Sequence, residues 1–94
     1  MIYLINYDIK THDTDKSKFI NTVKSADGWW HHLKDTWIIS TDESLDNWNE
    51  KLRIILNDND SLLVVDITGK ERNGWLPKNA WDWLNKNDVD NSKK

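Results

Sequence analysis

Two apolar, β-branched runs do most to limit what this chain can fold into: IYLINYDI over residues 2–9 and SLLVVDIT over residues 61–68. Both have the composition of buried strands. Alternation puts Tyr3, Ile5, Tyr7 and Ile9 on one face of the first run, and Ile2, Leu4, Asn6 and Asp8 on the other. That second face starts apolar and ends polar, so Asp8 falls where the strand runs out. Between the two runs lie a pair of helical stripes and a hairpin. Residues 15–26 carry Phe19, Ile20, Val23 and Ala26 at helical spacing, with Thr14 or Asp15 as cap and Gly28 just past the end. Residues 29–41 (WWHHLKDTWIIST) read as two strands joined by a tight turn near Lys34 and Asp35, the second strand covering residues 36–40. Leu45, Trp48, Leu52 and Ile55 then form a second stripe, capped by Asp42 or Ser44. Asn57-Asp58-Asn59-Asp60 is a stop and a turn. It resembles half of a calcium loop but lacks the glycine and the final glutamate such a loop requires.

The order is strand, helix, strand, strand, helix, strand. Right-handed crossovers fold it into an α+β, ferredoxin-like βαββαβ sandwich: a four-stranded antiparallel sheet with two helices on one face. A short C-terminal helix is appended, with Pro77 at its first position and Trp81 and Leu84 on one side. The first and third strands are expected to be central and parallel, with the fourth beside the first. The strands are apolar on both faces, since Ile2 and Leu4 back Tyr3 and Ile5, and Leu62 and Val64 back Leu63 and Val65. A sheet with one wet face alternates more cleanly. The second face is therefore expected to be covered by the 75–84 segment, by a second copy of the chain, or by both.

Length allows one domain of 94 residues, read as residues 1–86 with a frayed polar tail over 87–94. The absence of cysteine removes disulfides, thiolate zinc sites and cysteine nucleophiles. No apolar run reaches the roughly 20 residues of a spanning helix, and the first residues lack the pattern of a signal peptide. A cytoplasmic domain without membrane partners is expected. A formal charge of −3 argues against sequence-blind binding to a phosphate backbone. The seven tryptophans are read first as the means by which a small chain without disulfides builds a sufficient core.

Three groups of residues carry candidate chemistry. Trp29, Trp30, His31 and His32, with Lys34 nearby, form either a stacking platform for bases or a set of rings that close the helix–sheet seam. Adjacent histidines on a strand point to opposite faces, so His31 and His32 do not chelate together; His12 joins one of them only if the fold brings it there. Asp8, an acid at the C-terminal end of a central strand, is either a magnesium ligand or a strand end that caps the following loop. Asp66 is no partner for it, because an antiparallel fourth strand carries Asp66 toward Ile2. Trp75, Trp81 and Trp83 are read as anchors of the terminal helix, with a sugar- or base-binding role as the alternative.

The strand closing on Asn6-Tyr7-Asp8-Ile9, followed by helix, hairpin, helix and strand, resembles the small adaptation-protein superfamily of CRISPR systems, which also holds the virulence-associated protein D ribonucleases. The resemblance spans about residues 1–68. The segments WWHHLKDTW, DSLLVV and GWLP with AWDWL are similar to a group of uncharacterised bacterial and phage proteins labelled "SinR family". That label implies a helix-turn-helix repressor, whereas the helices here alternate with strands. The adaptation-protein resemblance implies a homodimer and a metal-ligand role for Asp8 in those members that are nucleases; Tyr7, beside it in the motif, is counted among the candidate binding residues. Two functions stand at this point. One is a homodimeric domain acting on or near nucleic acid, as a magnesium-dependent nuclease. The other is a non-catalytic binding or regulatory module that holds a protein or small ligand on its open sheet face or tryptophan surface.

Overall fold

The structure is a computed structural model describing residues 1–88. Its elements run β1 (Ile2–Asp8), α1 (Lys16–Val23), β2 (Gly28–Leu33), β3 (Thr36–Ser40), α2 (Leu45–Arg53), β4 (Ser61–Asp66) and α3 (Lys78–Asn87). The four strands form one antiparallel sheet in the order β2-β3-β1-β4, the ferredoxin-like arrangement, with α1 and α2 on one face. The expectation of parallel central strands is corrected. β1 and β3 are central but antiparallel, with Leu4 opposite Ile38. The crossover through α1 returns β2 in the direction of β1, and the hairpin then reverses the chain once more before β3 is laid beside β1.

Local chemistry sets each helix. Asp15 caps α1 by accepting from the Lys18 N–H at 2.9 Å. The helix stops at Val23, short of Ala26, because its last turn tightens: the Ser25 and Ala26 N–H groups donate to the carbonyls of Thr22 and Val23. Ser44 caps α2 through the Asn47 N–H at 3.1 Å, and Lys51 and Arg53 sit favourably in its last turn. Pro77 stands one place before α3, in the cap position.

The sheet separates two cores. On the α1/α2 side, Tyr3, Ile5 and Tyr7 of β1 and Trp37 and Ile39 of β3 meet Phe19, Val23, Trp48 and Leu52. On the other side, Ile2, Trp30 and Ile38 are buried against Ala80 and Leu84 of α3. The buried indoles satisfy their N–H groups. Trp30 donates to the Ala80 carbonyl (3.1 Å), Trp37 to the Tyr7 hydroxyl (3.3 Å) and Trp48 to the Thr41 hydroxyl (3.0 Å). Of the two covers expected for the second face, the C-terminal segment supplies one, over part of that face. α3 is held at its far end by Asp88, whose nearly buried carboxylate accepts from the Gly69 N–H at 2.8 Å and pairs with Arg72 at 2.7 Å. Gly69 makes the turn there with φ 68°. Asn87 and Asp88 thus belong to the packed body; the rest of the expected polar tail, residues 89–94, lies outside the described residues.

The other half of the second face is open. β4 is an edge strand, and Leu63 and Val65, 58% and 37% exposed, lie on it beside Asn6 and Leu4. The apolar residues read as doubly covered in β4 are therefore covered on one side only by the described residues. Among the described residues no helix is long and apolar enough to cross a membrane.

Candidate functional site

Asp8 closes β1 opposite Ser61, on the open face of the sheet. Its carboxylate is 61% exposed and has Lys10 Nζ at 3.5 Å, a surface pair of the kind that contributes little stability. Asp66 lies at the opposite end of β4, facing Tyr3, so it is no partner for Asp8. Among the described residues no three or more His, Asp or Glu side chains converge as a metal-binding group.

Beyond Asp8 the loop into α1 is organised by a residue that sequence reading took only for part of a turn. One Asp60 oxygen accepts from the Lys10 and Thr11 N–H groups at 2.8 and 3.0 Å. The other accepts from the Thr14 hydroxyl and from the Asn57 N–H at 3.0 Å. Asn57 in turn donates its side-chain amide to Thr14 Oγ1 at 2.7 Å. The Thr14 hydroxyl above all, then the Asn57 amide, hold the Asp60 carboxyl far below its ordinary value of 3.8; partial burial opposes them, and the Lys10 and Thr11 amides add to the lowering. Asp60 so fixes the loop that begins two residues after Asp8. The only hint in the sequence is the density of short polar residues over 57–60, which predicts the turn but not its distant partners.

This clasp makes stability acid-sensitive. Because the folded-state value is depressed, the contribution of Asp60 is complete well above pH 3.8 and is lost as pH falls through 3.8 and below, where the unfolded chain takes up a proton the folded chain refuses. Asp66, lowered by the Thr68 hydroxyl and amide, acts in the same direction. Asp60→Asn is expected to lower the melting temperature at pH 7 by several degrees and to shrink the drop between pH 5 and pH 3. Thermal melts across that range check it; an acid slope identical to wild type contradicts the assignment.

The β2 rings divide by face as alternation requires. Trp30 is buried under α3, with the His32 ring edge-on at 5.0 Å. Trp29 and His31 lie on the α1/α2 side. His31 stacks on Trp37 at 3.7 Å, and its Nε2 bonds the Lys34 carbonyl at 2.9 Å across the hairpin. Trp29 leans on Trp37 at 5.4 Å and is 43% exposed, with Lys24 Nζ 5.1 Å from its ring centre. Of the residues proposed for binding, Lys34 contributes its backbone. Tyr7 belongs to the core, edge-on to Phe19 at 4.7 Å. The rings of β2 do not form one platform: they close the two seams of the sheet, and a single indole face, that of Trp29, remains partly open.

The second face holds a cleft of about 200 Å³ between the sheet and the C-terminal segment. Leu4, Trp30, Leu33 and Ile38 form its sheet wall; Leu76 and Trp81 form the opposite wall, and Lys70 and Glu71 stand on its rim. Beside it, Trp75 is fully exposed and is packed against none of the described residues, which corrects its expected packing role. Trp81 and Trp83 are half-buried, the latter approaching Gly28.

No family model matches this sequence, and no curated protein matches it. Among solved structures, the chain is similar to the crystal structure of a hypothetical protein, TT1823, from Thermus thermophilus. The two are 26% identical, with a TM-score of 0.60 over 81% of this chain and 93% of that one. The similarity therefore takes in almost the whole of the Thermus protein.

Proposed function

We propose that this chain is a homodimeric, adaptation-protein-like domain that acts on or near nucleic acid. The observation that carries this reading is the place of Asp8: an exposed carboxylate at the end of a central strand, on the uncovered half of the sheet. A magnesium ion in phosphodiester chemistry is held by one or two carboxylates together with phosphate oxygens. One chain offers a single carboxylate, already facing Lys10, so its donor set alone does not fit a resident ion. Asp8 from two copies would supply a second carboxylate, and in the nuclease reading a two-fold partner seated on the open half of the second face contributes it.

The test compares wild type with Asp8→Ala for magnesium-dependent cleavage of RNA and DNA. Asp8 is exposed, so the variant is expected to fold as wild type does. Cleavage is expected in the wild type and to fall at least about 100-fold in the variant. Equal activity in both would sink the nuclease reading.

A second reading, a non-catalytic binding module, is favoured by a different observation. The cleft between the sheet and residues 76–84 has apolar and aromatic walls, with Thr36 and the polar residues 70–73 completing its lining, a mixture in keeping with a binding pocket. Absence of nucleic-acid binding and cleavage in the wild type, with saturable uptake of an apolar fluorescent probe by the cleft, supports this reading over the first.

A further inference from the structure

Trp75 and the cleft are neighbours of opposite shape. The indole is fully exposed, and the next residue, Leu76, is part of the cleft wall. A surface carrying both a knob and a cleft can be self-complementary about a two-fold axis, because each copy then offers its cleft to the knob of the other. Lys70 and Glu71 also line the cleft, Arg72 beside them being paired with Asp88, and a two-fold axis would let each meet its opposite on the partner. The apolar surface continues past the cleft: Leu33 at its mouth is 48% exposed, and Leu63 and Val65 extend the open face. A standard interface takes about 800 Å² from each partner, roughly an eighth of the 6367 Å² surface of this chain. An inserted indole supplies about 150–250 Å² of that on its own.

We propose that two copies of the chain dock about a two-fold axis, each placing its Trp75 indole in the apolar cleft of the other. This deepens the homodimer reading above and rests on it. Tryptophan in a desolvated pocket is the commonest kind of interface hot spot, and this interface contains the contact twice.

The experiment measures the mass of the full chain by light scattering across a concentration series. It compares wild type, Trp75→Ala and Leu33→Glu, the last placing a charge at the cleft mouth. Both substituted positions are exposed, so the circular dichroism spectra should match wild type, while the melting temperature of wild type alone should rise with concentration as the dimer forms. The wild type is expected to be dimeric at micromolar concentration, and each variant to dimerise at least about 100-fold more weakly. An equimolar mixture of the two variants is expected to regain dimer. Trp75 of Leu33→Glu then enters the intact cleft of Trp75→Ala, restoring one of the two contacts. A wild type that stays monomeric up to about 100 μM overturns the proposal together with the homodimer reading, and leaves the cleft to a small ligand or another protein. Variants that dimerise like wild type overturn the knob-in-cleft contact alone. Cleavage lost in Asp8→Ala alongside a dimer indifferent to Trp75 likewise overturns it, with the nucleic-acid reading intact.

Discussion

Replacing Trp48 with alanine is expected to destabilise the protein by about 3–5 kcal/mol, the range for removing a large aromatic ring from a packed core. Trp48 has no exposed surface and lies at the centre of the α1/α2 core, against the sheet. Its indole N–H is matched to Thr41, which is itself buried. Removing it leaves a cavity and strips the buried hydroxyl of a partner, and both effects have the same sign. Lys51 also sits 4.4 Å from the ring and pairs with Glu43 beside it, so the surface above the indole loses its support. A domain of this size has only about 5–15 kcal/mol of stability in total. Urea titration followed by circular dichroism measures the loss, and Trp75→Ala is the control. An indole with no contacts should change the unfolding midpoint of the monomer by almost nothing, and equal effects at the two positions would contradict the burial pattern.

Ending the chain at Asn73 is expected to abolish the cooperative fold. The truncation removes Ala80 and Leu84 and leaves Ile2, Trp30 and Ile38, all now buried, facing water. Each such side chain contributes about 1.5–3 kcal/mol when fully buried, so the combined loss is comparable to the whole stability of a small domain. The Trp30 N–H also loses the Ala80 carbonyl, and Arg72 loses Asp88. Leu84→Ala is the graded version, with an expected loss of about 2–5 kcal/mol. Thermal unfolding and binding of a hydrophobic dye report the outcome. A truncated chain that melts cooperatively near the wild-type temperature would show that α3 is not needed to close the second core.

These expectations rest on elements that the sequence made legible to different degrees. Local signals worked well. The apolar runs, the Asp15 and Ser44 caps and the hairpin turn at Lys34 and Asp35 were readable because each depends on a few neighbouring residues. Fold class followed from element order. The relative direction of β1 and β3 did not, because it requires tracking two reversals through the sheet, and alternation is the same in either direction. Trp75 misled for a related reason. Composition marks an indole as core material, and only the path of the loop before α3 shows that this one turns outward. Asp60 was missed because its partners Lys10, Thr11 and Thr14 lie more than forty residues away, and no periodicity records such a pairing. At the candidate site, Asp8 was legible as a strand-end acid, whereas the cleft is made by three separate segments and has no sequence signature.

The sheet is a partition with a core on each side, and the buried side chains on its two sides belong to different clusters. Side chains of one half can thus be repacked without touching those of the other. The α1/α2 half constrains the strands, both crossovers and the loop that follows Asp8. The other half needs only something apolar laid beneath Ile2, Trp30 and Ile38. A lineage built on this sheet is free to exchange that cover for a different helix, a strand or a neighbouring subunit without repacking what lies above. The C-terminal segment is therefore the part that a redesign could exchange with least disturbance to the rest.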